Sequence, residues 1–176
     1  MTGVNDTADL YPAHRLERAR KAASDAGFDA LLISPGPDLR YLTGYDALPL
    51  ERLTCLVLPV SGDPFLVVPA LEKPAAEASP AGRLGIEITA WDETDDPYAL
   101  IAGRLPGGLA RVAVDNHMWA EKLLAFQGAL PGVETGLAGE VLRELRIVKS
   151  AAEAEALRRA GAAIDRVHRR MGEWLV

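Results

Sequence analysis

Cysteine is almost absent from this 176-residue chain; Cys55 is the only one. A lone cysteine excludes an internal disulfide. It lies in "LTCLVLP", flanked by Leu53 and Leu56, and reads as a buried core thiol rather than a nucleophile. Histidine is also scarce. His14, His117 and His168 fall in unrelated segments, whereas metal ligands must converge at about 2 Å, so no metal site is expected in this chain. No segment approaches the roughly 18 consecutive apolar residues of a membrane span. The start, "MTGVNDTADL", lacks the basic and apolar regions of a secretion signal, so a cytoplasmic, membrane-free protein is expected. Positive charge is not in excess. A net charge of -6 argues against a nucleic-acid partner, which wants a basic surface.

Catalytic motifs are missing as well. There is no H-E-x-x-H, no G-x-S-x-G and no phosphate-cradling G-x-x-x-x-G-K-[ST]. "GRLPGG" has no lysine or hydroxyl behind it and reads as a turn. "DETDDP" (Asp92, Glu93, Asp95, Asp96) lacks the glycine and glutamate spacing of a calcium loop and reads as a solvated acidic loop. "VDNH" (Asp115 to His117) follows a strand, where α/β sheets bind ligands, but is expected to cap the next helix.

What remains is a well-furnished core: 49% of residues are apolar and 25% charged, the balance of a soluble globular domain. Pro12 opens a helix carrying Leu16, Ala19, Ala23 and Ala26 inward and ending at Gly27. "DALLIS" is a buried strand stopped by "PGPD", where Asp38 is expected to cap a short turn, "LRYL". "LTCLVLP" and "PFLVVP", separated by "VSGD", predict an antiparallel hairpin. "ALEKPAAEAS" reads as a helix interrupted at Pro74 unless the proline sits in its first turn. "IEITAW" and "RVAVD" are further strands, "YALIAGRL" a short helix, and "MWAEKLLAFQGAL" an amphipathic helix. "VETG" is a brief strand or turn, and "LAGEVLRELRIV" is helical. Alternation of this kind predicts an α/β fold with a mixed β-sheet flanked by helices in three layers, followed by a C-terminal helix.

That last helix begins at Ser150 with the capping box S-x-x-E. Leu157, Ala160, Ile164, Val167, Met171 and Trp174 then share one face. No other element of the sequence is left to cover that stripe.

Two stretches resemble the creatinase/prolidase superfamily, the M24 metallopeptidases. "AGFDALLISPGPDLRYLTGY" (26–45) is similar to its N-terminal signature, with Y-L-T-G after a buried strand. "LRELRIVKSAAEAEALRRA" (142–160) is similar to the junction into the catalytic domain, R-x-x-K-S then E-x-x-x-L-R, matched by Arg146, Lys149, Ser150, Glu155, Leu157 and Arg158. The resemblance implies a flexible N-terminus over 1–10, a creatinase/prolidase-like N-terminal domain over 11–145, and over 146–176 a linker plus the first helix of a truncated catalytic (pita-bread) domain.

The resemblance also implies a function. The parent is expected to hydrolyse Xaa-Pro bonds as a dipeptidase or aminopeptidase, using two divalent metal ions (manganese, or zinc or cobalt). Their ligands, two aspartates, a histidine and two glutamates, belong to the missing C-terminal catalytic domain. This chain is expected to hold no catalytic residue, no metal ligand and no cofactor, and to be inactive alone. Its expected part is in homodimerisation and in the wall of the partner's active site. The segment for that role is "PDLRYLTGY" and "DALPLER". There Asp38, Arg40, Tyr41, Tyr45 and Arg52 would form a substrate rim, an arginine suiting a carboxylate and aromatics a proline ring of short proline-containing peptides. Two other readings compete. One is the N-terminal domain of a creatinase-like amidinohydrolase. The other is a free-standing α/β binding or dimerisation module, whose Leu157/Ile164/Met171 and Ala160/Val167/Trp174 repeat every seven residues although Gly161 and Gly172 weaken the helix.

Overall fold

Strands β1 (Ala30–Ile33), β2 (Cys55–Pro59) and β3 (Phe65–Pro69) are buried at every position. Their sequences are accordingly continuous in apolar residues instead of alternating. A computed structural model describes residues 10–174; the N-terminal stretch expected to be frayed lies almost wholly outside them. Two units are distinguished, one ending at Leu145 and one beginning at Arg146.

The first unit holds a six-stranded sheet in the order β4-β3-β2-β1-β5-β6, with β4 at Glu87–Trp91, β5 at Arg111–Val114 and β6 at Glu134–Leu137. The expected hairpin is present: β2 and β3 pair antiparallel with Cys55 opposite Val67. β1 also runs antiparallel to β2. The pairs β1–β5, β3–β4 and β5–β6 are parallel, so the sheet is mixed. "VETG" is the edge strand β6.

Alternate side chains feed two separate cores. Leu31, Ile33, Leu56, Leu58, Leu66, Val68 and Ala113 face α1 (His14–Asp25), α2 (Pro37–Thr43) and α6 (Gly139–Ile147). Ala30, Leu32, Cys55, Val57, Phe65, Val67, Val112 and Val114 face α4 (Pro97–Arg104) and α5 (Ala120–Ala129). Period-two alternation of Cβ directions produces this split. On the second face Phe126 is fully buried and meets Tyr98 edge-on, ring centroids 4.9 Å apart. Removing such a ring costs about 3–5 kcal/mol. Pro74 lies in the first turn of α3 (Lys73–Ala78), entered from a 3-10 turn at Ala70–Glu72. There a proline loses no hydrogen bond.

Four local expectations are corrected. Ala26 does not face inward; α1 ends at Asp25 and Ala26 is its exposed C-cap. Asp38 does not cap a turn; "PDLRYLT" is a helix entered from Gly36 without a side-chain cap, and Asp38 is buried inside it. Asp115 does not cap α5, which starts five residues later with no side-chain cap; its Oδ1 accepts from the His117 amide, closing a tight turn. Finally, α5 is not cleanly amphipathic, because Lys122 is buried and Leu124 exposed. Lys122 stands four residues before Phe126, on the inward face.

In the second unit, α7 runs from Ala151 to Trp174 with none of its residues buried. The capping box forms reciprocally: the Ser150 amide donates to Glu153 Oε2 at 2.8 Å and the Glu153 amide to Ser150 Oγ at 3.2 Å. Leu157, Ile164, Val167, Met171 and Trp174 are all exposed. No helix among the described residues is long and apolar enough to cross a membrane.

Candidate functional site

The Y-L-T-G stretch folds as it does because glycine is required at its end. Gly44 has φ of 74°, and a Cβ there would stand 2.6 Å from the Pro80 side chain and 2.8 Å from the Tyr11 ring. Thr43 closes α2 by donating to the Leu39 carbonyl at 2.7 Å and accepting from the Tyr45 amide. The chain then turns outward into 46–52 and returns at Leu53.

The five rim residues are placed unequally. Arg40 is exposed and pairs with Asp46 at 3.2 Å; bonding to Tyr11, with help from Asp46, raises its basicity. Arg52 is half-buried. Its guanidinium lies 3.9 Å from Glu72 and 3.5 Å from the exposed Glu93, and its Nε is buried without a hydrogen-bond partner. Tyr41 is half-buried: its hydroxyl donates to the Leu145 carbonyl at 3.0 Å, and the Arg15 guanidinium lies 4.1 Å from its ring centre. Asp38 and Tyr45 are buried. Burial, with Glu72 nearby, pushes the Tyr45 phenol up, so it stays neutral. The two arginines are the rim residues whose charged heads reach solvent.

The segment they flank is tied down on its return side. Trp91 Nε1 donates to the Leu53 carbonyl at 2.9 Å, and Lys122 Nζ to the carbonyls of Leu50 at 2.5 Å and Arg52 at 3.3 Å. Leu48 is 70% exposed, and Leu50, Leu71 and Trp119 also reach the surface. Sequence reasoning missed Lys122 and Trp119. The available signal was the i, i+4 spacing of Lys122 and Phe126 on one helical stripe.

A second polar cluster sits at the C-terminal ends of β1 and β5. Ser34 and Asp115 are buried, and the Ser34 hydroxyl beside the Asp115 carboxyl works to lower its proton affinity. Burial pushes the Asp115 carboxyl up against the lowering effect of the His117 amide, and the neighbouring Asp38 charge pushes it further up. Cys55 is fully buried and burial raises its thiol far above the ordinary range, which leaves it unreactive. A groove of about 510 Å³ lies between α4 and α5, lined by Ala99, Ala102, Ala125 and Ala129 with Tyr98 and Asp96; Asp96 is already spent capping α4. Among the described residues no three His, Cys, Asp or Glu side chains converge where a metal ion could sit.

This arrangement, a mixed sheet with Y-L-T-G behind its first strand, has known counterparts. The creatinase/prolidase N-terminal domain family matches residues 15–148, and the chain belongs to it. It is 48% identical over 169 residues to the protein named "Probable dipeptidase PepE" of Mycobacterium tuberculosis, covering 96% of this chain and 44% of that one. The crystal structure of dipeptidase PepE from Mycobacterium ulcerans superposes with a TM-score of 0.85 at 50% identity, covering 99% of this chain and 46% of that one. The Xaa-Pro dipeptidase of Lactobacillus helveticus is 27% identical over 159 residues, covering 85% of this chain and 41% of the relative. The chain thus spans less than half the length of each of these three relatives. What it shares with them is the creatinase/prolidase N-terminal domain.

Proposed function

We propose that this domain is the non-catalytic part of a metal-dependent Xaa-Pro dipeptidase or aminopeptidase that works as a homodimer in the cytoplasm. Its 38–52 segment forms part of the wall of the partner's active site, and the parent hydrolyses the Xaa-Pro bond of short proline-containing peptides. The two divalent metal ions, manganese or else zinc or cobalt, belong to the C-terminal catalytic domain; among the described residues of this chain no three His, Cys, Asp or Glu side chains converge to hold one.

The observation that carries the reading is the pinned segment 45–53. It presents apolar Leu48 and Leu50 beside the cationic Arg52. A proline ring fits an apolar surface, and a dipeptide's carboxylate fits a guanidinium. Arg52 is held by the part-buried Glu72 on one side and by Glu93, whose side chain is 84% exposed, on the other; the exposed Glu93 contact is worth less than about 1 kcal/mol, and an incoming carboxylate can displace it. The test is peptide hydrolysis by the full-length protein carrying Arg52→Ala. The reading expects KM for Xaa-Pro dipeptides to rise about tenfold or more, the loss of one charged hydrogen bond. An unchanged KM sinks the wall role.

The exposed stripe of α7 favours a second reading, a module that pairs through this helix. Sedimentation of the 176-residue chain separates the two. A stable dimer abolished by Ile164→Glu supports the module; a monomer sinks it.

A further inference from the structure

We infer that Lys122 is a positioning residue that fixes the backbone of residues 50–52, and thereby the conformation of the whole 45–52 rim, from the neighbouring helix α5. For its purpose this rests on the wall reading above; its test does not.

Lys122 is only 3% exposed. A buried ammonium is costly unless hydrogen bonds compensate it, so a lysine here opposes stability where a methionine would fill the same space. Its compensation comes from loop backbone, the carbonyls of Leu50 and Arg52, with the Trp119 ring 5.0 Å away. The two carbonyls bracket Glu51, so one cation grips the chain on both sides of a residue. Just before this point Pro49 is enclosed in a three-residue turn, the Leu50 amide donating to the Leu48 carbonyl at 3.0 Å. A proline fixes φ and a two-carbonyl clamp fixes the exit direction. The turn bearing Leu48 is therefore aimed as a unit. Burial lowers the ammonium's basicity, while Cys55, Glu121, Glu51 and Glu72 oppose that shift. No catalytic group is involved; the lysine acts through Leu50 and Arg52.

The experiment is tryptic cleavage of the native 176-residue chain at the Arg52–Leu53 bond, timed by mass spectrometry, with sites on the sheet-packed helices as internal controls. Lys122→Met is expected to speed cleavage at Arg52 about tenfold or more, the equivalent of losing a charged hydrogen bond, while control sites keep their rates. Lys122→Arg, which retains a cationic donor, is expected to return most of the protection. If Lys122→Met does not fold, Lys122→Gln carries the same comparison. An Arg52 rate that stays unchanged in a folded variant overturns the inference, as does acceleration at all sites together. In the full-length enzyme the same variant is expected to raise KM with kcat kept. Faster cleavage with KM unmoved leaves the clamp standing and sinks the wall reading instead.

Discussion

The Tyr41 hydroxyl donates to the Leu145 carbonyl at 3.0 Å, across 104 residues of chain. One of these residues belongs to Y-L-T-G, the other to the last turns of α6. The two stretches that carry the family resemblance are therefore physically joined, and the bond satisfies a carbonyl near a helix end, where no intrahelical partner exists. Arg15 reinforces the joint by lying over the Tyr41 ring and donating to the Tyr41 carbonyl.

Tyr41→Phe keeps the ring and its cation contact and removes only the hydroxyl. The expected cost is about 1 kcal/mol, read as a lowered urea midpoint with an unchanged slope. No loss of stability would mean that the hydroxyl bond contributes nothing.

Gly44→Ala is expected to be far more damaging. It places a side chain at positive φ and drives Cβ into Pro80 and Tyr11. The left-handed conformation and the overpacking together cost about 2–4 kcal/mol. Thermal unfolding followed by circular dichroism checks this; a shift no larger than that of Gly103→Ala, where a Cβ meets nothing within 4 Å, would contradict it.

The sheet and its order of elements were legible because doubly buried strands must be written in unbroken apolar residues, as in "CLVLP" and "FLVVP". The candidate site was legible only as a segment. Whether Asp38 or Tyr45 faces solvent depends on how α2 lies on the sheet, and no local pattern encodes that packing. Lys122 was lost for the opposite reason: periodicity assigns a lysine to water, and the compensating carbonyls come from 70 residues earlier. Asp115 was read from the sequence as a helix cap; that its oxygen instead closes a turn through the His117 amide was not legible.

Asp115 makes stability depend on pH in a defined direction. Its folded-state value lies above the ordinary one, so the folded state holds the proton more tightly than the unfolded. The stability it contributes is complete below about pH 4 and is lost as pH rises through the folded value. Asp115→Asn keeps an acceptor for the His117 amide and never carries the charge. The melting-temperature difference, variant minus wild type, should therefore grow more positive from pH 4 to pH 7. A difference that is flat across that range would show that Asp115 carries no burial penalty.

The helix α7 depends on its start. Ser150→Ala removes the acceptor for the Glu153 amide and is expected to cost about 1 kcal/mol of helix stability. Loss of ellipticity at 222 nm with the β-sheet signal intact is the expected readout, and unchanged ellipticity would deny the cap its role.

The most direct measurement of the central claim is release of proline from an Xaa-Pro dipeptide in the presence of manganese, by the 176-residue chain and by the full-length protein at equal concentration. Turnover by the full-length protein and none by the chain alone is the expected result. Hydrolysis by the 176 residues themselves, or a full-length protein inactive on every Xaa-Pro dipeptide, would contradict it.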